Sequence, residues 1–263
     1  MAENKVKTVN EPKDEEEEIQ DIVLEVKDLH KAYGPKQVLK GVNLEVKKGE
    51  VFGFIGKNGI GKSTTIGSII GLKNFDSGEI YINGHDVKKE ARYCKSLFGY
   101  VPSEPTAYEM MTGREYLEFV GSSYNMIQES FDSNYKFLVN KLGMDEYDMN
   151  KKISEYSHGM KQKVCIMASL IHNPMLWIMD EPTVGLDIIV YEVLTKMIVE
   201  FARNGRTVFI TSHNLDLVAK VCDRVAIIND GVVMNLIDFR KEPLKRREIT
   251  KIFFKTYGEE IPE

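Results

Sequence analysis

Apolar and polar residues alternate through Ile22-Val23-Leu24-Glu25-Val26 and again through Val42-Asn43-Leu44-Glu45-Val46. A period of two predicts half-buried strands at both places. Glu79-Ile80-Tyr81-Ile82 predicts another, entering a tight turn at Asn83-Gly84. Elsewhere the alternation gives way to short, largely apolar runs: Val51 to Ile55, Met175 to Met179 after Pro174, Thr207 to Thr211, and Val225 to Ile228 closed by Asp230-Gly231. These predict buried strands. Helical spacing appears over Ser63 to Leu72, with Gly71 near its end, over Lys161 to Ile171 and over Ile188 to Arg203. Thr112-Gly113-Arg114-Glu115 is a capping box, and Tyr116, Phe119 and Val120 follow it at helical intervals. Lys136 to Leu142 carries Phe137, Leu138, Val139 and Leu142 and is also compatible with a helix. Strands alternating with helices predict an α/β fold with a largely parallel sheet. The stretch from about 103 to 165 reads as a helical lobe inserted into it, and no internal repeat is present.

The turn between the first buried strand and its helix carries the chemistry. Gly56-Lys57-Asn58-Gly59-Ile60-Gly61-Lys62-Ser63-Thr64 fits the phosphate-binding loop G-x-x-x-x-G-K-[ST] without a mismatch. Its glycines let the backbone turn N–H groups toward an anion, and the helix N-terminus adds its positive dipole end. Lys62 is expected to reach the β/γ-phosphates and Ser63 to place its hydroxyl on Mg²⁺. A second buried strand ends in Asp180-Glu181-Pro182. Asp180 suits a metal, directly or through water. Glu181 suits a general base toward the water that attacks the γ-phosphate.

Composition narrows the setting. The chain has 263 residues, 43% hydrophobic content and a net charge of −5. That supports a substantial core and does not suggest a general nucleic-acid binder. No run approaches the ~18–20 apolar residues of a membrane span. Cys94, Cys165 and Cys222 are scattered and read as reduced cytosolic residues. Residues 1–20 are polar and acidic, with Asp14-Glu15-Glu16-Glu17-Glu18, and read as a disordered leader that is not a secretory signal. Arg240 to Lys251 is basic and reads as a solvated helix face.

With these motifs in order, the chain resembles the nucleotide-binding subunits of ATP-binding-cassette (ABC) transporters over about residues 22 to 235. Tyr33 matches the aromatic residue that stacks on adenine. Ser157-His158-Gly159-Met160-Lys161-Gln162 matches the family's signature sequence. Gly185-Leu186-Asp187 matches the loop after the catalytic glutamate, and His213 matches the switch histidine that contacts the γ-phosphate. The resemblance implies a phosphate-loop NTPase core with a parallel sheet, an antiparallel β subdomain and an inserted helical subdomain. The cassette would span 21–239, with a short extension over 240–263. It further implies ATP and Mg²⁺ as ligands. ATP would be held by Tyr33, Gly56, Asn58, Gly59, Gly61, Lys62, Ser63 and Thr64, and by Ser157, Gly159 and Asp187. Lys62, Glu181 and His213 would act in catalysis, with Ser63 and Asp180 on the metal.

The chain carries one phosphate loop and one signature, and the resemblance implies a head-to-tail dimer with a second nucleotide-binding subunit, expected to be an identical chain, with ATP between one subunit's loop and the other's signature. Transport then requires a separate transmembrane permease. The expected location is cytoplasmic, at the inner face of the membrane through that permease, with no nucleic acid. The form Tyr156-Ser157-His158-Gly159-Met160-Lys161-Gln162 is similar to that of bacterial exporters of drugs, lantibiotics and other peptides, so export is expected over import. Three positions depart from the family pattern, of which Ile188, where the family often has proline after Asp187, is a minor change. After Phe98-Gly99-Tyr100-Val101-Pro102 the family's glutamine is replaced by Ser103, a shorter side chain that leaves a metal contact open to question. His158 replaces a glycine of the signature. Two other readings stay open: a soluble ATPase of the same family outside transport, and a regulatory subunit that binds ATP with little turnover.

Overall fold

The computed structural model describes residues 22–183 and 185–260; the acidic leader lies outside them. Among the described residues the strands form two sheets. The smaller joins β1 (Ile22–Tyr33), β2 (Lys36–Lys47), β4 (Ser77–Ile82) and β5 (His85–Asp86), all antiparallel, in the order β2-β1-β4-β5. The larger runs β10-β9-β3-β8-β7-β6, built from β3 (Val51–Ile55), β6 (Phe98–Val101), β7 (Leu176–Asp180), β8 (Thr207–Ser212), β9 (Arg224–Asn229) and β10 (Val232–Asp238). Only β10 runs antiparallel to its neighbour.

Strands β3, β7 and β8 are buried along their whole length, as parallel strands covered on both faces must be. Alternate side chains feed two cores. Phe52, Phe54 and Phe209 point to the side of the antiparallel sheet, with Phe52 stacked on Phe209 at 6.0 Å. Val51, Ile55, Val208 and Ile210 point to the other side. Helix α1 (Lys62–Ile69) follows β3, and α2 (Ala91–Leu97) precedes β6. Between β6 and β7 come α3 (Gly113–Ser123), α4 (Gln128–Lys141), α5 (Glu146–Met149) and α6 (His158–Leu170). Thr112 caps α3 with the reciprocal bonds of a capping box. Helix α7 (Ile188–Arg203) joins β7 to β8, and α8 (Leu215–Val221) joins β8 to β9. Two short helices, α9 (Pro243–Arg247) and α10 (Ile249–Thr256), follow β10.

Several readings differ from the structure, among them the helix read from Lys136, which begins at Gln128, and the one read to Leu72, which ends at Ile69. β1 and β2 run well beyond the alternating residues because β1 pairs on both sides, while a register shift near Asp28, at φ 47°, breaks the alternation. The signature helix starts at His158, three residues earlier than Lys161, because Ser157 caps it. The basic stretch is only partly a solvated face. Arg246 donates to the carbonyls of Ala219 and Cys222 at the end of α8, at 2.6 and 2.7 Å, and Arg240 pairs with buried Glu50.

The topology places the chemistry. Ile55 pairs with Ser212, Asp180 with Thr211, and Val101 with Met179. The C-terminal ends of β3, β8, β7 and β6 are therefore level with one another. The segments that leave them, Gly56 onward, His213, Glu181 and Ser103, emerge side by side, where open α/β sheets bind ligands.

Candidate functional site

A cavity of about 170 Å³ at these strand ends is lined by Asn58, Gly59, Gly61, Lys62, Ser63, Thr64, Ser103 and Glu181. A larger cleft of about 400 Å³ lies between α4, α6 and α7, beside Trp177 and Phe201, but no phosphate-binding loop reaches it. The smaller cavity is the one the strand topology predicts.

Gly61 makes the turn into α1 at φ 123°, in the region that favours glycine, and a Cβ there would strike Leu39 at 2.7 Å. Helix α1 carries no side-chain cap and no acidic residue in its first turn. Its leading N–H groups thus stay available to an anion. Lys62 is 5% exposed. Its ammonium donates to the carbonyls of Gly56 at 2.7 Å and Lys57 at 3.2 Å, which spreads the side chain along the loop.

Glu181 sits across the cavity at φ 48°. A left-handed conformation is strained for a residue with a Cβ, and here it turns the carboxylate off the end of β7. Its Oε2 accepts from the backbone N–H of His213 at 3.1 Å and meets the Nδ1 of that ring at 2.9 Å. Its Oε1 is 3.3 Å from the Lys62 ammonium but out of line for a hydrogen bond, and has no hydrogen-bond partner among the described residues. One carboxylate oxygen is therefore held by His213, while the other is buried beside the Lys62 ammonium without a hydrogen bond of its own.

Asp180 is buried behind Glu181 and accepts a short hydrogen bond from the Thr211 hydroxyl. Burial, and then the negative charge of Asp180, push the neighbouring Tyr100 phenol up to about 12. Thr211 was not singled out from sequence. It belongs to a buried strand, and only the pairing of β7 with β8 brings its hydroxyl to Asp180.

The remaining sequence-predicted residues lie outside the cavity. Tyr33 is 48% exposed, with the Lys31 ammonium 5.3 Å from its ring centre. Ser157 is exposed and accepts from the Met160 N–H at 3.2 Å, capping α6. Asp187 caps α7 through the Val190 N–H at 2.9 Å. Gly159 has open space around it. His158 lies against the loop after Glu181, so that a Cβ on Gly185 would come within 2.6 Å of its ring.

Three comparisons bear on this geometry. The family model described as ABC transporter matches residues 39–184. The linearmycin resistance ATP-binding protein LnrL of Bacillus subtilis (strain 168) is 39% identical over 209 residues, covering 80% of this chain and 67% of that protein. A solved structure described as the ATP binding subunit of an ABC transporter superposes with a TM-score of 0.83 at 30% identity, over 89% of this chain and 99% of that one. A dimeric ATP-binding cassette in a post-hydrolysis state with ADP and Pi superposes with a TM-score of 0.75 at 26% identity, over 82% and 99%.

Proposed function

The chain belongs to the ABC transporter ATP-binding family, and on that footing we propose that it drives a membrane exporter of drugs or peptides, working as a pair of cassettes bound to a separate permease. It is an ATP hydrolase of the ABC type. The observation that carries the proposed mechanism is the pair of unlike oxygens on Glu181. With Oε2 fixed by His213, Oε1, which lies beside Lys62 and makes no hydrogen bond among the described residues, accepts the proton of the attacking water as its oxygen bonds to the γ-phosphorus. The bond from that phosphorus to the bridging oxygen breaks, and ADP leaves with the electron pair. Lys62 and the leading amides of α1 hold the phosphates, and Asn58, Gly59, Gly61, Ser63 and Thr64 shape the cradle.

The donor set fits Mg²⁺. Ser63 and Ser103 line the cavity and Asp180 is the buried carboxylate that precedes Glu181; Ser63 and Asp180 would hold the ion, Asp180 directly or through water, with Ser103 a further oxygen on the cavity wall. Magnesium, when bound, supplies charge neutralisation at the phosphate oxygens.

Ser157, Gly159 and Asp187 lie away from their own chain's phosphate loop, which supports a dimer in which they serve the opposite subunit's nucleotide. Tyr33 is exposed enough to stack on an adenine ring. Exposed Tyr108, Met110 and Phe119, with Tyr108 packed edge-on to Phe119, offer an apolar face to permease helices beside the lobe at about 103–165. Among the described residues no helix is long and apolar enough to cross a membrane; in this reading a separate permease supplies the spans and holds the chain at the cytoplasmic face. The resistance role in the name of LnrL supports export.

The direct test expresses the chain with the membrane protein that copurifies with it in a peptide-sensitive bacterial host. Tolerance to membrane-active drugs or peptides is expected to rise, and inverted vesicles are expected to accumulate the compound on ATP addition. Unchanged tolerance, with ATP-driven movement in the uptake direction, would overturn export.

A further inference from the structure

Helix α10 ends against the phosphate-binding loop. The Tyr257 hydroxyl donates to the Ile228 carbonyl at 2.6 Å and accepts from the Lys57 N–H at 3.0 Å. The Lys57 ammonium lies 4.8 Å from the centre of the Tyr257 ring and pairs with the Glu259 carboxylate. Asn229 and Asn235, on the β9–β10 hairpin, bond the Thr256 carbonyl at 3.2 Å and its hydroxyl at 2.7 Å. Phe253 packs against the Tyr257 ring at 5.0 Å. Residues Thr256 to Glu259 thus form a strap tied to the sheet on one side and to the loop on the other.

The geometry of one peptide unit gives the strap its consequence. The peptide joining Gly56 to Lys57 is planar, so its C=O and N–H turn together. Its N–H is held by Tyr257 and its C=O receives the Lys62 ammonium at 2.7 Å. A Cβ on Gly56 would meet Ile228 at 2.8 Å, so the loop begins in contact with the residue whose carbonyl Tyr257 binds. Burial raises the Tyr257 phenol above its ordinary value, which keeps the hydroxyl protonated and able to donate.

We propose that Tyr257 is a positioning residue for nucleotide binding: through the Gly56–Lys57 peptide it holds the phosphate loop and the Lys62 side chain in the binding-competent arrangement. Without it the peptide is free to rotate and Lys62 loses a fixed anchor, so ordering the loop is charged against binding. The inference rests on nucleotide binding at this loop and is independent of the direction of transport.

The test titrates ATP, with a fluorescent ATP analogue as reporter, into the full chain and into Tyr257→Phe, Glu259→Gln and Ile249→Val. Steady-state hydrolysis and melting temperature are measured on the same samples. Tyr257→Phe keeps the ring and removes the hydroxyl. It is expected to raise Kd and KM about five- to tenfold, the worth of one such hydrogen bond, with kcat within about twofold. Glu259→Gln is expected to raise them about twofold, an effect that salt erases. Ile249→Val trims α10 at its far end and is expected to lower the melting temperature with Kd unchanged. Equal Kd values for the parent and Tyr257→Phe, or an equal rise in Ile249→Val at a matched loss of melting temperature, would overturn the positioning role. A parent chain that binds no nucleotide would overturn this inference and the function together.

Discussion

Helices α1 and α6 both begin at motifs that point to phosphate, yet their N-termini are built in opposite ways. α1 starts inside a cavity, on a glycine, with no side-chain cap, and shares its space with Lys62 and Glu181. α6 starts on the surface, and Ser157 already bonds the Met160 N–H. An uncapped N-terminus keeps its amides for a ligand, whereas a capped one has spent an acceptor on itself. The serine hydroxyl still has its proton to give. The first end therefore presents its loop, its lysine and its carboxylate from one chain. The second is a stable surface whose remaining donor faces outward, as a dimer that shares nucleotide across its interface requires.

The largest expected effect tests the first end. Glu181→Gln preserves shape and the contact with His213 but removes the oxygen basicity. Phosphate release is expected to fall about 10²–10⁴-fold while ATP affinity stays within a few-fold. Turnover retained in that variant would move the base elsewhere and dissolve the contrast, since neither helix end would then be tied to the proton transfer.

The same contrast explains what could be read from the chain alone. Asn58, Gly59, Gly61, Lys62, Ser63, Thr64, Ser103 and Glu181 were all nameable from sequence, and the fold brings them to one cavity. They sit at or next to the ends of short buried strands, where a local motif and a parallel sheet together determine the place. Tyr257 and Thr211 were not nameable. Tyr257 reaches Lys57 across 200 positions of chain, and Thr211 reaches Asp180 through strand pairing. Neither contact leaves a local pattern. The far halves of β1 and β2 escaped for a related reason. Residues such as Lys27 and His30 are held by pairing within the sheet, His30 on both sides of β1, and pairing has no hydropathy signature. The antiparallel sheet itself was expected only by resemblance.

Acid sharpens the comparison from the other end of α6. His172 follows that helix, stacked on Tyr124 at 3.7 Å, with Nε2 bonded to the Phe98 carbonyl at 3.0 Å and Nδ1 buried without a hydrogen-bond partner among the described residues. Burial lowers its pKa to about 4. Between that value and the ordinary 6.5 the unfolded chain binds a proton that the folded chain refuses, so stability falls as pH drops through this window. The loss is expected to reach up to about 3 kcal/mol. Melting temperatures from pH 7 to 4.5 should decline more steeply for the parent than for His172→Gln. Parallel curves would show that this end of α6 accepts charge as readily as the exposed one.

The smallest effect addresses Ser157, where one hydroxyl has two separable uses. As a cap it needs only a lone pair; toward a phosphate it needs its proton. Ser157→Asp keeps a capping oxygen and adds a negative charge, which favours the helix N-terminus but repels a phosphate. Ser157→Ala removes both uses and is expected to cost about 1 kcal/mol of stability. The aspartate variant should melt at or above the parent's temperature, yet turn over ATP about tenfold more slowly, a cost of about 1.4 kcal/mol. Its affinity for ATP as a single chain should not change, because Ser157 does not line the phosphate-loop cavity. An aspartate variant with parental turnover would reduce the exposed end of α6 to a capped helix, leaving the shared-nucleotide dimer without its outward donor.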